Sequence, residues 1–393
     1  MSERKLAHIE VVKNLRPIKG ADRIEVAEVL GWECVVKKGE FKVGDLIIYV
    51  EVDSIMPEKP EFEFLRDRKF RVKTIKLRKQ ISQGLVLPLS TLGPSEVIDH
   101  LDEDDIGLDV TELLGITKYL SPSEIAEQEA IERRIRNDKN KLRKFMMRYS
   151  WFRKLFLSRK KKSGFPYWVS KTDEERIQNM PQVLQQFADK EVYVTEKIDY
   201  QSVTFTGKMV PRFSGKLGEL IPIKRYQFVV CSRNMTTNNK NSLYWQIAKK
   251  YNIEQILREN PTLTIQGEQG DTRVQGNKYG IKEPTMWVFN IIDHEKDYHY
   301  NYFEMYEFCK KYNLLIVPIL GIEVHNSPFK EELNFTPLLK HLGSSVQELV
   351  EFSKGKSVLA DIPREGIVVR CIENGKKILS FKVINPDFLL KYD

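Results

Sequence analysis

Tyr193–Ser202 reads YVTEKIDYQS. Val192, Val194 and Glu196 alternate with Tyr193, Thr195 and Lys197, the period-two pattern of a half-buried strand, so an extended segment is predicted to lead into Lys197-Ile198-Asp199. Opposite charges two residues apart at a strand end form, by default, a surface ion pair of little energetic weight. They mean more only if distant segments bring them partners.

Outward from this stretch, short apolar runs alternate with amphipathic ones. Strands are predicted at EVYVTEKI, VTFTGK, QFVVCSR, TLTIQGEQG, TMWVFNII, LIVPILG, EGIVVRC and KILSFKVI, and helices at SLYWQIAKKY, EQILREN, NYFEMYEFCKKY and SVQELVEFSK. That order implies an α+β domain with helices packed outside sheets. EGIVVRCI and KILSFKVI, joined across Glu373-Asn374-Gly375-Lys376, read as a hairpin with an Asn-Gly turn. Five polar signals mark strand edges in this region: Lys197-Ile198-Asp199, Ser232-Arg233-Asn234, Gly267-Glu268, Glu365-Gly366 and Lys382. Singly each is what solubility requires, but together they could line one groove in which charge is handled.

The segment from Ile9 to Leu92 differs. IEVVKNL, DRIEVAEVL, WECVVKKG, LIIYVEV, FRVKTIKL and GLVLPL are short strands separated by turn signals, the pattern of a small all-β barrel. Between Ser121 and Ser163 basic residues run almost unopposed, Lys160, Lys161 and Lys162 among them, while Leu142, Phe145, Met146, Tyr149, Phe152 and Phe156 recur at helical spacing. Such a segment is an amphipathic basic helix or helix pair, either a solvated linker or a phosphate-binding arm.

Composition narrows the class. In 393 residues, 41% hydrophobic and 30% charged, no apolar run approaches a membrane span and MSERKLAHIE has no signal-peptide core, which points to a soluble intracellular protein of two domains. Cys34, Cys231, Cys309 and Cys371 have no metal-ligand spacing and read as reduced core residues, and His294 and His299 lack the placement of a zinc helix. The net charge of +8 suits a polyanionic partner without establishing one.

TEKIDY resembles the nucleophile motif K-x-D-G of the covalent nucleotidyltransferases, the superfamily of ATP-dependent ligases and messenger RNA capping enzymes. VCSRN, IQGEQG, MWVFNI, REGIVV and SFKVI follow in that family's order, and FPYWVSKTDEERIQN (165–179) and GEQGDTRVQGNKYGI (267–281) also look like its segments. IKGADRIEVAEVLGWECVVKKGEFKVGDLIIYVEVD resembles the first half of OB-fold modules, used either as a scaffold or to hold nucleic acid. The chain is thus similar to RNA ligases that carry an OB domain before the catalytic domain, and no room remains after Lys382 for the C-terminal OB domain of DNA ligases. The implied division is an OB-fold domain (1–115), a basic helical linker (116–163) and an α+β nucleotidyltransferase domain (164–393).

The resemblance implies an ATP-dependent RNA ligase, a monomer that joins 3′-hydroxyl and 5′-phosphate ends, in a nick or in single strands, during RNA repair. It implies Lys197 as the nucleophile that takes AMP. Such a lysine attacks only as a free amine, so its pKa is expected to be lowered. Asp199 and Glu365 are implied as acids holding Mg2+ or Mn2+ through water. Arg233 is implied at ribose or a phosphate, Glu268 at the ribose hydroxyls, Glu196 at the adenine amino group, Lys382 at the α-phosphate and Lys171 at the triphosphate. Phe289 is implied as an adenine-stacking ring, with plain core packing as the alternative. Two positions depart from the family pattern: Tyr200 stands where glycine is common, and Ser380 where a second lysine is common, with Lys376 or Lys377 as substitutes. Those departures keep open a non-catalytic RNA-binding protein with a decayed ligase domain, and the superfamily keeps open a guanylyltransferase.

Overall fold

The computed structural model describes residues 4–93, 100–120, 125, 129, 165–171, 174–187, 190, 192–212, 223–323, 345–371 and 379–392. The basic run at 121–163 and the hairpin turn at 373–376 therefore lie outside the described residues, apart from positions 125 and 129. The chain divides into two units. The first comprises Met1–Lys144, Ile177–Pro181 and Pro386–Asp393, and the second Phe145–Arg176 and Gln182–Asn385.

In the first unit β1 (Ala7–Pro17), β2 (Ile24–Val29), β3 (Trp32–Lys37) and β4 (Leu46–Val50) are followed by the short strands β5 (Ser54–Ile55), β6 (Ile75–Leu77) and β7 (Gln80–Ser82), then β8 (Leu85–Pro88) and β9 (Thr117–Lys118). The main sheet has the order β3-β2-β1-β4-β8, all antiparallel. A register shift between Val12 and Asn14 bends β1, whose first half pairs with β4 and second half with β2. Such a bulge increases local twist and lets one strand turn a barrel corner. The curl brings β3 to the segment before β8, where Gln83 N–H donates to the Glu33 carbonyl (2.9 Å) and Val35 N–H to Ser82 Oγ (2.9 Å). The expected strand FRVKTIKL forms only from Ile75. Lys69 and Phe70 are left-handed (φ 53° and 58°), and the buried Phe70 and Val72 bond irregularly to Asp53–Met56.

The second unit contains two sheets. Four strands, β10 (Val192–Lys197), β17 (Ile319–Glu323), β18 (Gly366–Cys371) and β19 (Ser380–Ile384), lie in the order β17-β10-β18-β19. The other sheet is built from β11 (Gln201–Pro211), β12 (Lys224–Cys231), β13 (Leu263–Gly270), β14 (Thr285–Asp293) and β15 (Tyr298–His299), with β16 (Leu315–Ile316) parallel to β14. LIVPILG, expected as one strand, is split at Val317-Pro318 between the two sheets, because proline has no N–H to give a ladder. Helices α1 (Leu243–Lys250), α2 (Ile253–Glu259) and α3 (Tyr302–Tyr312) cover the six-stranded sheet through a core that includes Phe205, Ile247, Leu257, Ile265, Val288 and Met305. Asn301 and Glu304 cap α3 reciprocally (both 2.9 Å). Helix α4 (Val346–Ser353) is capped by Ser345, and α5 (Pro386–Tyr392) belongs to the first unit. All four cysteines are buried and free, as expected. Among the described residues no helix is long and apolar enough to cross a membrane.

Candidate active site

Lys197 is the last residue of β10 and pairs with Gly366 at the start of β18. A Cβ at Gly366 would lie 2.2 Å from the Val383 carbonyl, so glycine is required for the strands to meet. Glu365 immediately precedes it, and Lys197 Nζ donates to both of its carboxylate oxygens at 2.7 and 2.8 Å. Burial by itself would depress the pKa of the Lys197 amine. The charge of Glu365, followed by those of Glu268 and Asp199, outweighs burial and holds the pKa above its ordinary value. The expected lowering is thus reversed, because three acidic side chains surround one ammonium.

Asp199 does not pair with Lys197. Its carboxylate bonds to Lys278, and its N–H donates to the Tyr279 hydroxyl at 3.0 Å. The Gln275 amide faces the same turn and can donate to the Asp199 carbonyl (2.7 Å) and carboxylate (3.2 Å). Tyr200 is 6% exposed; its ring stacks on Trp287 (6.0 Å between centroids, 7° between planes), and its hydroxyl donates to Asn277 Oδ1 at 2.9 Å. A Cβ at Gly270 would collide with that ring at 2.7 Å. The tyrosine at the family's glycine position therefore fills space left by a glycine elsewhere.

Cross-strand register aligns the other cations. Thr195 pairs with Val368 and Val368 with Lys382, while Tyr193 pairs with Arg370 and Arg370 with Ser380, so Lys197, Lys382, Arg370 and Ser380 share one face. Burial holds the pKa of Glu365 above its ordinary value against the pull of Lys197 and, more weakly, of Lys382, whose N–H donates to the Glu175 carbonyl at 2.8 Å beside Arg176. The Ser380 hydroxyl bonds to the Glu174 carboxylate, which Arg370 also grips at 2.7 and 3.2 Å. Arg370 thus places a cation beside Ser380; Lys376 and Lys377, either of which was expected to compensate there, lie outside the described residues. The sequence held that signal: regular alternation in the hairpin puts Arg370 opposite Ser380. Arg176 was missed because only the fold sets Glu175 and Arg176 beside β19.

Glu268 sits on β13 between Ser202 and Trp287. Burial pushes its pKa up to about 8 against the pull of Lys197, and its Oε2 is a buried atom without a hydrogen-bond partner. Arg233 is exposed in the loop after β12 and contributes positive charge at Glu268. Lys171, also exposed, donates to the neighbouring Asn234 at 3.2 Å. Phe289 is half-buried against the cluster of Ile198, Tyr200, Tyr279, Trp287 and Val317, with Arg370 5.7 Å from its ring centre. Glu196 points to the opposite face from Lys197; Oε2 accepts from Val358 N–H (2.7 Å), and Oε1 is buried without a hydrogen-bond partner. Among the described residues no three acidic, histidine or cysteine side chains converge as direct metal ligands. Asp199 and Glu365, each held by a lysine, fit a hydrated divalent ion better than a bare one.

Comparison with known proteins bears on the family and the fold. Residues 190–384 match the RNA ligase family, and residues 6–89 match an OB-fold domain family. Over 190–384 the chain carries an RNA ligase family domain. It is similar over its whole length to Naegleria gruberi RNA ligase with PPi: 27% identity, TM-score 0.72, 99% of each chain covered. Variants of that enzyme with AMP and Mn and with ATP and Mn match it at 27% identity and TM-score 0.71, again over 99% of each chain. No curated protein sequence matches. The ligase fold accordingly carries an N-terminal OB-fold domain ahead of an α+β ligase domain.

Proposed function

We propose that the protein is an ATP-dependent RNA ligase that seals 3′-hydroxyl to 5′-phosphate ends, in RNA repair, through a lysyl-AMP intermediate. The observation that carries this reading is the Lys197–Glu365 contact at 2.7 and 2.8 Å, with Glu268, Asp199 and Lys382 close enough to shift the charge of that pair. In the first step Lys197 Nζ bonds to the α-phosphorus of ATP, the bond to the bridging oxygen breaks and pyrophosphate leaves. Its proton must depart first, and Glu365 is positioned to receive it. Lys382 neutralises the α-phosphate, Arg233 and Lys171 attract the triphosphate, and Glu268 offers its free oxygen to a ribose hydroxyl. Phe289 stacks on adenine and Glu196 Oε1 accepts from its amino group, which would satisfy both orphaned carboxylate atoms. Magnesium or manganese, held through water by Asp199 and Glu365, would neutralise the phosphates, as Mn and ATP occur together in the Naegleria enzyme. AMP then passes to the RNA 5′-phosphate, and the 3′-hydroxyl displaces it. The OB-fold barrel within 1–115 and the basic segment 116–163 hold the RNA, ahead of a catalytic domain from 164 onward.

Incubation with ATP labelled at the α-phosphate should label the protein in the presence of Mg2+ or Mn2+, and Lys197→Ala should remove the label. A wild type that stays unlabelled would overturn the proposal, and preference for GTP would favour a guanylyltransferase. RNA binding without any adenylate transfer would favour the decayed-ligase reading.

A further inference from the structure

Residues 165–171 run across the face of the six-stranded sheet that carries Glu268. Ser202 pairs with Glu268 and Thr204 with Gln266, so Ser202, Thr204, Thr206 and Lys208 point to that face. The Ser170 carbonyl accepts from Gln266 (2.9 Å), and Trp168 Nε1 donates to Thr206 (3.2 Å), which bonds to Thr264 (2.8 Å). Beyond these anchors the side chains change character. Tyr167 is 83% exposed and meets Trp168 edge to face at 5.1 Å. The Lys208 ammonium lies 4.0 Å from the Trp168 ring centre and 4.5 Å from that of Tyr167, and donates to the Tyr167 hydroxyl at 2.8 Å. Among the described residues no carboxylate lies within ion-pairing distance of Lys208.

A tyrosine this exposed contributes little to folding by burial. A rigid ring next to an ammonium that no described carboxylate pairs has a specific chemical use: the ring stacks on a base, and the cation meets the flanking phosphate. Lys208 lies six residues along β11 from Ser202, about 20 Å from the Glu268 end of the same face, the span of several nucleotides. We infer that Tyr167, Trp168 and Lys208 form a stacking platform for a single-stranded stretch of RNA leading to one of the ends being joined. The inference rests on the ligase reading for its choice of RNA. Tyr167 and Trp168 bind bases without reading sequence, and Lys208 binds a phosphate; none touches the reacting atoms.

The test uses the full chain and a short 5′-phosphorylated single-stranded RNA, with binding followed by fluorescence anisotropy across a salt series. Tyr167→Ala should weaken binding about tenfold and Tyr167→Trp should restore it, since stacking requires a flat ring rather than a hydroxyl. Lys208→Gln should reduce the slope of log affinity against log salt by about 0.7, one phosphate contact on a single strand. Labelling of the protein by ATP should be unchanged in all three. Unchanged affinity in Tyr167→Ala, or an unchanged slope in Lys208→Gln, would overturn the platform. A wild type that binds RNA but takes no label would instead refute the ligase reading and leave the binding comparison to decide the platform.

Discussion

At Lys197 two effects oppose each other. Burial strips water from the ammonium, whereas Glu365, Glu268 and Asp199 supply negative charge, and charge wins. On the proposed mechanism, an incoming cation and phosphates would have to change that balance before the amine can attack. A similar contest settles His8 in the opposite part of the sequence. Burial would lower the pKa of His8, but hydrogen bonds to Glu10 (2.8 Å) and contact with Glu51 raise it to about 9. Because the folded pKa lies above the ordinary 6.5, the stability it gives is complete below pH 6.5 and disappears as pH rises through 9. Unfolding of the first unit should therefore become easier from pH 6.5 to 9, by up to about 1.4 kcal/mol per pH unit, and His8→Asn should flatten that dependence. Thermal melts of both proteins across this range would check it. That Lys197, Glu268 and Glu365 would be brought together was legible in the sequence because a motif order carries them. The charge state of Lys197 was not, because it depends on side chains 71 and 168 positions away that only the fold assembles.

The loop from Asp271 to Ile281 holds the turn after Lys197 in place. Gln275, Gly276, Asn277 and Gly280 all have positive φ (47°, 68°, 48° and 63°), which brings Asn277 Oδ1 within reach of both the Ile281 N–H and the Tyr200 hydroxyl. Tyr279 then caps the Asp199 N–H. Tyr279→Phe keeps the ring and removes the acceptor, leaving a part-buried N–H unpaired at a cost of about 1 kcal/mol or more. Lysine adenylation should slow by about tenfold, with a small fall in the unfolding midpoint; a normal rate would mean that Asp199 needs no such support. The helices and most strands of this unit were readable from periodicity, since each buries one face. The break at Pro318 was legible only as a proline within an apolar run, and nothing local showed that its two halves serve different sheets. The conformation at Lys69 and Phe70 was hidden for a related reason: apolar burial there is satisfied without a ladder.

Across the whole chain, the first unit is assembled from three separated stretches. The short insertion Ile177–Pro181 carries part of its polar interior: Trp32 Nε1 donates to Asn179 Oδ1 at 2.7 Å, Asn179 donates to Glu51 at 3.0 Å, and Gly31 N–H donates to the Gln178 carbonyl at 2.9 Å. Asn179→Ala would leave the Trp32 N–H and one Glu51 oxygen without these partners, at about 1–3 kcal/mol. Denaturant unfolding followed by Trp32 fluorescence should show the loss, while labelling by ATP persists. Composition revealed two kinds of sequence, all-β and then α+β, but not this interleaving, because five residues in a family motif give no sign that they pack with a distant barrel.

That interleaving also sets an order of events. A ribosome makes the barrel strands first, yet their remaining partners arrive with residues 177–181, and α5 only with residues 386–392. The part translated first is thus among the last to be finished, and the nascent barrel must wait, incomplete, while some three hundred further residues emerge.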